Sequence, residues 1–540
     1  MVKDKILIIL LIFFSLFSVR SLFLQGFPPT HDGEYHIIRF YEFYKALESG
    51  VIYPRWAMDL NFGYGVPLFN YVYPLPNYIA AILHFFGFSF INAFKVSMII
   101  ATLIGAISFY YWMHEYVDDL YAFAASLIYV FSPYRFLDIF IRGSIGEVWS
   151  LSFFPAFLFF VTKAVRYDNK KMYIASSIML ALTILSHNIL GLMFSGFGIL
   201  YVAFLLWQEK RKDYKRTMFT FLLAFGMSAI FWLPALLEKT YVKGLEIYDI
   251  GQNFPELYQL LVPSWGSGFS SNELNNQMSY QLGVVNILLV LISLFALIKL
   301  KKGRPLILFF VSLFLIVCFL MLSFSKTVWE TFPLISYFQF PWRLLSLSII
   351  ISSFLGGFAL QFINKKIIAA VIVSIQIIIT FQYGIPAYIH QRDDNHYILR
   401  SNFINSTNSP GNLFNTVWFK GVSHRSKQRL ESSISTSQFT NVTQTPHRLT
   451  ANVIAKSKDQ ILVNIAYFPE WNVYLNGKKI KVNKTADGRF SFWLPKNGGF
   501  TVDLKFENTP IRHASAIITI VSIMLVIIAL QDMRILKYRL

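Results

Sequence analysis

The chain has little cysteine and little charge. Cys318 is the single cysteine among 540 residues, and it lies inside an apolar run. One cysteine excludes a disulfide within the chain and argues against dithiol redox chemistry. Charged residues make up only 14% of the chain, and it contains neither a glycine-rich P-loop nor a dinucleotide-binding fingerprint. The sequence therefore does not indicate a soluble nucleotide as substrate or cofactor.

Apolar residues are abundant instead. They make up 55% of the chain, and the mean hydropathy is +0.50. Many apolar runs reach the roughly 18–20 residues that cross a bilayer, which predicts a polytopic α-helical membrane protein. The formal net charge is +19, but the basic residues are concentrated in short loops and near the C-terminus. That distribution favours membrane topology and lipid headgroups, and it argues against a nucleic-acid partner.

The apolar runs predict about twelve membrane spans. The first run follows Lys3 and Lys5 and has no small-residue cleavage pattern, so we interpret it as an uncleaved span rather than a signal peptide. The short run 75–87 is bounded by proline and glycine, and we interpret it as a helix at the membrane interface or re-entering it. The predicted spans are residues 6–24, 92–113, 119–136, 146–165, 172–189, 190–207, 217–238, 281–300, 305–323, 343–363, 367–387 and 514–531.

Lysine and arginine orient these spans. The basic loops are expected on the cytoplasmic side together with both termini, because cytoplasmic loops of membrane proteins are enriched in these residues. Every basic loop then falls on the cytoplasmic side. We therefore predict a multi-pass protein of the cell membrane. The loops are residues 166–171, 209–216, 300–304 and 364–366, with a basic tail at 534–539.

Three long segments are then predicted to face outward, at residues 25–73, 240–280 and 387–513. The last of these alternates apolar and polar residues in its second half, and Asn476-Gly477 lies between two such arms, which is typical of a β-hairpin. We therefore predict a transmembrane core over residues 1–387, an extracytoplasmic β-sandwich-like domain over 388–513, and a final transmembrane helix with a basic cytoplasmic tail over 514–540.

Residues 30–36, Thr-His-Asp-Gly-Glu-Tyr-His, form the densest group of reactive side chains and follow the first span directly. A carboxylate at the edge of a bilayer, Asp32 or Glu34, could serve as a general base that deprotonates an acceptor hydroxyl for attack on a sugar C1. The same two acids together with His31 and His36 are ligand types for a divalent metal ion. A third interpretation is structural, with Asp32 capping a helix that starts near Gly33.

The remainder of the first outer segment contains further candidates. Arg39 and Arg55 could bind a phosphate, although an ion pair between Arg55 and Asp59, four residues apart, is the simpler structural interpretation. Tyr64 lies in an aromatic loop interrupted by glycine. Such rings suit sugar faces, and they equally suit the aromatic belt of a membrane interface.

Polar residues at the ends of later spans fall on the same outer face. Arg142 and Glu147 could form a structural ion pair or line a substrate site, since charges at the membrane rim are costly. His187 ends a span as a polar cap or a site residue. Trp342 and Arg343 open another span, where the arginine requires an anion such as a lipid phosphate or reaches the headgroups by snorkelling.

At these residues the chain resembles a family of bacterial and archaeal membrane proteins labelled 6-pyruvoyl-tetrahydropterin-synthase-related, which in turn look like GT-C membrane glycosyltransferases. The resemblance covers nearly the whole chain, and the label itself does not indicate pterin chemistry. The matching motifs are His31-Asp-Gly-Glu-Tyr-His36, Pro54-Arg-Trp, Phe62-Gly-Tyr-Gly-Val-Pro-Leu-Phe-Asn70, Ser132-Pro-Tyr-Arg135, Arg142-Gly-Ser-Ile-Gly-Glu147, Ser186-His-Asn188, Gln339-Phe-Pro-Trp-Arg343 and, in the C-terminal part, Phe468-Pro-Glu-Trp-Asn-Val-Tyr followed by Asn476-Gly477.

The resemblance implies an inverting transfer of a sugar from a polyprenyl-phosphate donor to a glycan, lipid or protein acceptor outside the cytoplasm. It places the catalytic or metal-binding carboxylate on Asp32, with Glu34 as a second candidate, and a divalent metal ion is possible. GT-C enzymes often carry two adjacent acids, whereas this chain has Asp-Gly-Glu. A transporter or flippase for a lipid-linked glycan, and a non-catalytic envelope assembly protein, are the alternative functions.

Overall fold

The computed structural model describes residues 2–244, 250–270, 277–299, 303–420, 422 and 424–538. The fold is mostly helical and ends in a β-sheet region followed by one long helix. The helices are Val2–Ser18 (α1), Gly33–Glu48 (α2), Leu75–Phe85 (α3), Phe90–His114 (α4), Asp119–Val130 (α5), Pro133–Phe136 (α6), Ile145–Tyr167 (α7), Lys170–Ser186 (α8), Asn188–Gln208 (α9), Tyr214–Met227 (α10), Ala229–Leu237 (α11), Leu257–Leu261 (α12), Val284–Lys299 (α13), Arg304–Met321 (α14), Lys326–Thr331 (α15), Pro333–Ser336 (α16), Leu345–Ile363 (α17), Lys366–Thr380 (α18), Asp394–Ile398 (α19), Ser401–Ile404 (α20) and Pro510–Tyr538 (α21).

Within the described ranges, seven helices are long and apolar enough to cross a membrane, or up to nine if each of two bent pairs is one span. Each of the predicted spans coincides with a helix, but the count of about twelve exceeds this number. Part of the difference lies in shorter apolar helices, including Lys5–Ser18 and Val284–Lys299. The run 75–87 does form a short separate helix, α3, as the prolines and glycine around it predict.

The first bent pair breaks at Ser132-Pro133, where the two halves meet at 47°. A residue that precedes proline avoids helical geometry, and Ser132 has an extended backbone. The second half continues as a wider π-helical turn over Leu137–Arg142 and stops at Gly143, whose φ is +63°. The predicted single span 119–136 is therefore wrong in its end point, and the extension carries Arg142 to the end of the bent pair.

The second bent pair, α10 and α11, turns by 74° at Ser228. A side chain of α21 enters the break: the Thr519 hydroxyl donates to the carbonyl oxygen of Gly226 at 3.1 Å and accepts from the N–H of Ile230 at 2.9 Å. Insertion of a hydroxyl into the backbone hydrogen-bond ladder is a recognised cause of sharp helix kinks. The predicted span 217–238 therefore corresponds to two helices with a sharp bend between them.

The described residues of the C-terminal region include nine strands. They are Leu430–Ser432 (β1), Ser437–Thr445 (β2), Arg448–Ala455 (β3), Asp459–Val463 (β4), Trp471–Leu475 (β5), Lys478–Ile480 (β6), Asn483–Lys484 (β7), Phe490–Leu494 (β8) and Gly498–Phe506 (β9). The sheet orders are β1-β4-β8-β7 and β2-β3-β9-β5-β6, with antiparallel pairing throughout. The predicted hairpin is confirmed, because β5 and β6 pair with Leu475 opposite Lys478 and both turn residues have positive φ.

The inward residues of both sheets share one apolar core, which gives the region its sandwich character. This core extends into the first outer segment through Trp56, whose ring lies 5.6 Å from that of Trp471. The first outer segment and the β-sheet region are therefore packed against each other.

Candidate functional site

The segment that contains Asp32 is docked on the end of the first bent pair. The N–H of His31 donates to the carbonyl oxygen of Ile141 at 2.9 Å, and the N–H of Asp32 donates to that of Arg142 at 2.8 Å. Gly143 permits this approach, since a Cβ there would lie 2.3 Å from the Thr30 hydroxyl oxygen. Two segments about 110 residues apart in the chain thus meet through backbone hydrogen bonds.

Asp32 is at the start of α2, but its carboxylate does not cap the helix. The Thr30 hydroxyl does so instead, accepting from the N–H of Gly33 at 3.0 Å. The capping interpretation of Asp32 is wrong for this reason. The Asp32 side chain is half-buried and has no hydrogen-bond donor among the residues that the structure describes.

Arg39 lies on α2 as well, and its positive charge is not paired with a carboxylate among the described residues. It is 9% exposed and donates one hydrogen bond, from Nη2 to the carbonyl oxygen of Asn408 at 2.8 Å, while its buried Nε has no partner. No carboxylate in the described part of the chain forms an ion pair with it. Burial lowers the pKa of Arg39, and the charges of Tyr73, Asp32 and Tyr35 oppose that shift.

A row of rings connects α2 to the start of α9. The Tyr73 ring lies 6.3 Å from that of His36 and 5.0 Å from that of His187. Burial, with the nearby Arg39 charge, holds the pKa of His36 well below its ordinary value, so this imidazole is neutral. The row is tightly packed, because a Cβ on Gly146 would lie 2.4 Å from the Tyr73 ring.

Glu147 is the centre of a buried ionic cluster. It is fully buried and accepts from Arg142 Nη2 at 2.8 Å, from Arg343 Nε at 2.9 Å and from the Tyr134 hydroxyl at 2.9 Å. His187 Nε2 lies 3.9 Å from the same carboxylate. The structural ion-pair interpretation of Arg142 and Glu147 is therefore confirmed, and Glu147 is the anion that Arg343 requires.

Arg142 has further partners in this cluster. Its Nη1 donates to Asp138 Oδ1 at 2.6 Å, and its guanidinium lies 4.8 Å from the Trp342 ring centroid. Trp342 is buried between the arginines of the cluster, with the Arg343 guanidinium 5.6 Å from its ring. Arg142, Glu147, His187, Trp342 and Arg343 are thus brought together from three chain segments.

The four proposed metal ligands do not assemble. Among the described residues, no group of three or more histidine, cysteine or acidic side chains could hold a metal ion. His31 Nε2 donates to the carbonyl oxygen of Ser267 at 2.8 Å, and Glu34 lies 3.5 Å from Arg400. His36 is packed among aromatic rings on another face of the helix. His31 and Asp32 precede the helix, and Glu34 and His36 are two positions apart on it, about 200° around its axis, so the four side chains diverge.

Two other candidates lie elsewhere. Arg55 does not pair with Asp59; it contacts Glu470 of the β-sheet region, and Asp59 pairs with Lys45 at 2.5 Å. Tyr64 is buried in the core of the β-sheet region, 5.5 Å from the Phe419 ring. Arg55 and Tyr64 therefore join the first outer segment to the β-sheet region instead of joining the Glu147 cluster.

Several residues of the site were not among the sequence candidates. Tyr134 and Asp138 lie in and after the Ser-Pro-Tyr-Arg motif, so the signal was present for Tyr134. Tyr73 belongs to the aromatic loop that was interpreted only as a whole. Asn408 contacts α2 twice, through Arg39 and through the carbonyl oxygen of Tyr35 at 3.2 Å. Nothing in the surrounding sequence marks it.

Comparison with known proteins gives one family and a distant structural likeness. No curated protein matches the chain. Among solved structures, the chain is similar to the arabinofuranosyltransferase AftD from Mycobacteria, with a TM-score of 0.44 and 14% identity over 70% of this chain and 26% of that one. The chain thus spans about a quarter of the length of that protein.

The part of the chain that matches a family model includes both bent pairs, the Glu147 cluster and Trp342-Arg343. Residues 69–388, more than half of the chain, match the model described as "6-pyruvoyl-tetrahydropterin synthase related domain; membrane protein". This confirms the resemblance found at the motifs. The chain belongs to this family of membrane proteins.

Proposed function

We propose that this protein is a membrane glycosyltransferase that moves a sugar from a polyprenyl-phosphate donor to an extracytoplasmic acceptor, with Asp32 as the general base. The observation that carries the proposal is the state of Asp32. Its backbone is fixed by the hydrogen bond to Arg142, while its half-buried carboxylate has no donor among the described residues. A fixed carboxylate with free lone pairs at a bilayer edge is suited to accept a proton.

The proposed step is one displacement. The Asp32 carboxylate takes the proton of the acceptor hydroxyl, and the acceptor oxygen attacks C1 of the sugar. The bond between C1 and the phosphate oxygen breaks, and its electron pair leaves with polyprenyl phosphate. Configuration at C1 inverts because attack and departure are on opposite faces. The proton is held by Asp32 during the transfer and is then released to solvent.

Arg39 is proposed to stabilise the departing phosphate. Arg142 and Arg343 both pair with Glu147, Arg142 also pairs with Asp138, and Arg55 pairs with Glu470, so each of these three guanidiniums already has a carboxylate partner. Arg39 lacks such a carboxylate among the described residues and feels the charge of Asp32. A buried cation that meets growing negative charge stabilises the transition state more than a neutralised pair does. The Glu147 cluster then has a positioning role, since it holds the turn on which Asp32 is docked.

The test compares Asp32→Asn with Glu34→Gln in membranes supplied with a panel of polyprenyl-phosphate sugars, with release of polyprenyl phosphate measured by mass spectrometry. Loss of a general base lowers turnover by about 100-fold or more, and donor binding is retained. Glu34→Gln is the matched control, because Glu34 already lies near Arg400.

Equal turnover of the two variants would overturn the assignment of Asp32. Transport of intact donor without release of polyprenyl phosphate would instead indicate a flippase. If Asp32→Asn abolished donor binding, Asp32 would be a binding residue and not a base.

A further inference from the structure

A polar cavity that does not include Asp32 lies beside residues 23–26, which follow α1. It has a volume of about 590 Å³ and is formed by residues 23–26, the start of α4 and residues 392–395. Ligand pockets for small molecules and headgroups have volumes of this size, about 300–1,000 Å³. Neither the proposed reaction nor the family match assigns a role to it.

Lys95 is the charged group at the inner wall of this cavity. Its side chain is 6% exposed, and Nζ donates to the carbonyl oxygens of Leu24 at 2.8 Å and Gly26 at 3.1 Å. An ammonium has three N–H donors, so one remains for a ligand. No carboxylate forms an ion pair with Lys95 in the described part of the chain. The wall therefore presents a cation whose charge is not neutralised.

The acids of the cavity are largely engaged in helix capping. Asp394 accepts from the N–H groups of Phe90 and Ile91, at 2.7 and 3.0 Å, and so caps α4. Asp393 accepts from the N–H of His396 at 3.1 Å and caps α19. Arg392, in contrast, is exposed and has no ion-pair partner among the described residues. Lys95 and Arg392 are thus the two cations available to an anion here.

The rim of the cavity is apolar and exposed. Phe23 and Leu24, which line the cavity, are 62% and 53% exposed. Large apolar side chains that follow an apolar helix and remain exposed are expected to contact lipid. Acyl chains would therefore lie beside the cations of the cavity.

The cavity and the Asp32 segment contact α4 through different residues. Phe94 precedes Lys95 on α4, and its ring lies 5.3 Å from that of Phe27 and 6.2 Å from that of His36. Adjacent positions on a helix point about 100° apart, so Phe94 packs near His36 while Lys95 lines the cavity.

We infer that this cavity binds the phosphate of a membrane phospholipid, with Lys95 and Arg392 as its two cationic contacts and the acyl chains beside Phe23 and Leu24. Charge-assisted hydrogen bonds from lysine and arginine are the usual contacts of a phosphate. A cation near a membrane surface strengthens the binding of an anionic lipid by about five-fold. The site holds a structural or regulatory lipid and is independent of the sugar transfer.

The experiment is native mass spectrometry of the full chain in detergent with added dioleoyl-phosphatidylglycerol. Arg392→Gln is expected to weaken lipid binding by about five-fold, and Lys95→Gln combined with Arg392→Gln by about 25-fold, since the two charges act on the same phosphate. Asp393→Asn removes a neighbouring negative charge and is expected to strengthen it. Lys456→Gln, an exposed lysine of the β-sheet region, is the matched control and should leave binding unchanged.

Dioleoylglycerol has the same acyl chains without phosphate and should bind at least ten-fold more weakly. Equal binding of the two lipids would overturn the inference, as would equal losses in Arg392→Gln and Lys456→Gln. Displacement of the lipid by millimolar inorganic phosphate would also overturn it, because the site would then recognise free phosphate.

Discussion

The N–H of Asp32 donates to the carbonyl oxygen of Arg142 at 2.8 Å, while the side chain of Arg142 binds Glu147. One residue therefore connects the first outer segment, through its backbone, with the buried ionic cluster, through its guanidinium. Because the cluster also contains Arg343, three distant segments determine where the Asp32 carboxylate lies. Changes at this contact are expected to alter activity more than stability.

Gly143→Ala tests that contact. Its φ of +63° makes any side chain costly by about 1–2 kcal/mol, and the new Cβ would also approach the Thr30 hydroxyl oxygen to 2.3 Å. We expect polyprenyl phosphate release to fall at least ten-fold as the Asp32 turn is displaced. Gly87→Ala is the control, since Gly87 has a φ of +94° with open space around it and should lose stability alone. Similar activity in both variants would contradict the role of the contact.

Glu147→Gln is expected to destabilise the protein strongly. It leaves Arg343 and Arg142 buried with less compensating charge, which costs about 3–5 kcal/mol. Thermal unfolding in detergent, followed by size-exclusion chromatography, measures the change. Glu34→Gln removes a partly exposed contact with Arg400 and should cost no more than about 1 kcal/mol. Equal unfolding temperatures would show that Glu147 does not hold the cluster together.

Arg39→Gln is expected to lower kcat for the lipid-linked donor by about ten-fold or more and also to raise its KM, since both the charge that grows on the departing phosphate and the phosphate of the bound donor lose a cationic contact. Arg39→Lys should recover part of the affinity, because it keeps the charge without the planar fork. Steady-state kinetics of polyprenyl phosphate release provide the measurement. Arg425→Gln is the control, as its guanidinium is exposed and donates to the Asp59 carbonyl oxygen. An unchanged KM in Arg39→Gln would remove Arg39 from the donor site.

The contact between β2–β3 and the first outer segment should be sensitive to acid. His447 Nε2 accepts from the N–H groups of Arg55 and Trp56, at 3.1 and 3.3 Å, which requires a neutral ring. Burial and the Arg55 charge lower the pKa of His447 to about 3, against an ordinary value near 6.5. Between these values the unfolded chain binds more protons, so stability is fully present above about pH 6.5 and declines towards pH 3.

Melting temperatures of the wild type and of His447→Gln across this pH range provide the measurement. Glutamine offers a neutral oxygen acceptor, so His447→Gln should show a flatter dependence on pH below 6.5. Parallel curves for the two proteins would indicate that other groups cause the acid sensitivity.

Much of the fold could be predicted from local pattern. Apolar length marked the positions of the long helices, and Asn476-Gly477 marked a hairpin because its turn requires positive φ at both residues. The bend at Ser228 was not predictable, since it depends on Thr519, almost 300 residues later. The predicted count of about twelve spans is higher than the seven to nine candidate spans among the described residues, because several of the apolar helices are short.

Many residues of the candidate site could be identified from the sequence, but which side chains contact each other was harder to predict. Arg142 and Glu147 are five residues apart, and the chain reverses at Gly143 between them, which brings the two side chains into contact. The proposed Arg55–Asp59 pair was wrong, because Glu470 of a distant strand region contacts Arg55 and Lys45 contacts Asp59. The spacing of residues in the sequence cannot reveal ion-pair partners that come from distant parts of the chain.

The sequence by itself determined that this is a helical membrane protein with a β-rich C-terminal region, because apolar length and alternation are local and follow from burial of each segment. Only the tertiary structure decided which charges remain available. A buried arginine must meet a nearby anion, and its identity depends on which segments pack together. That packing neutralises Arg343 with Glu147 and leaves Arg39 beside Asp32 without a carboxylate partner in the described chain.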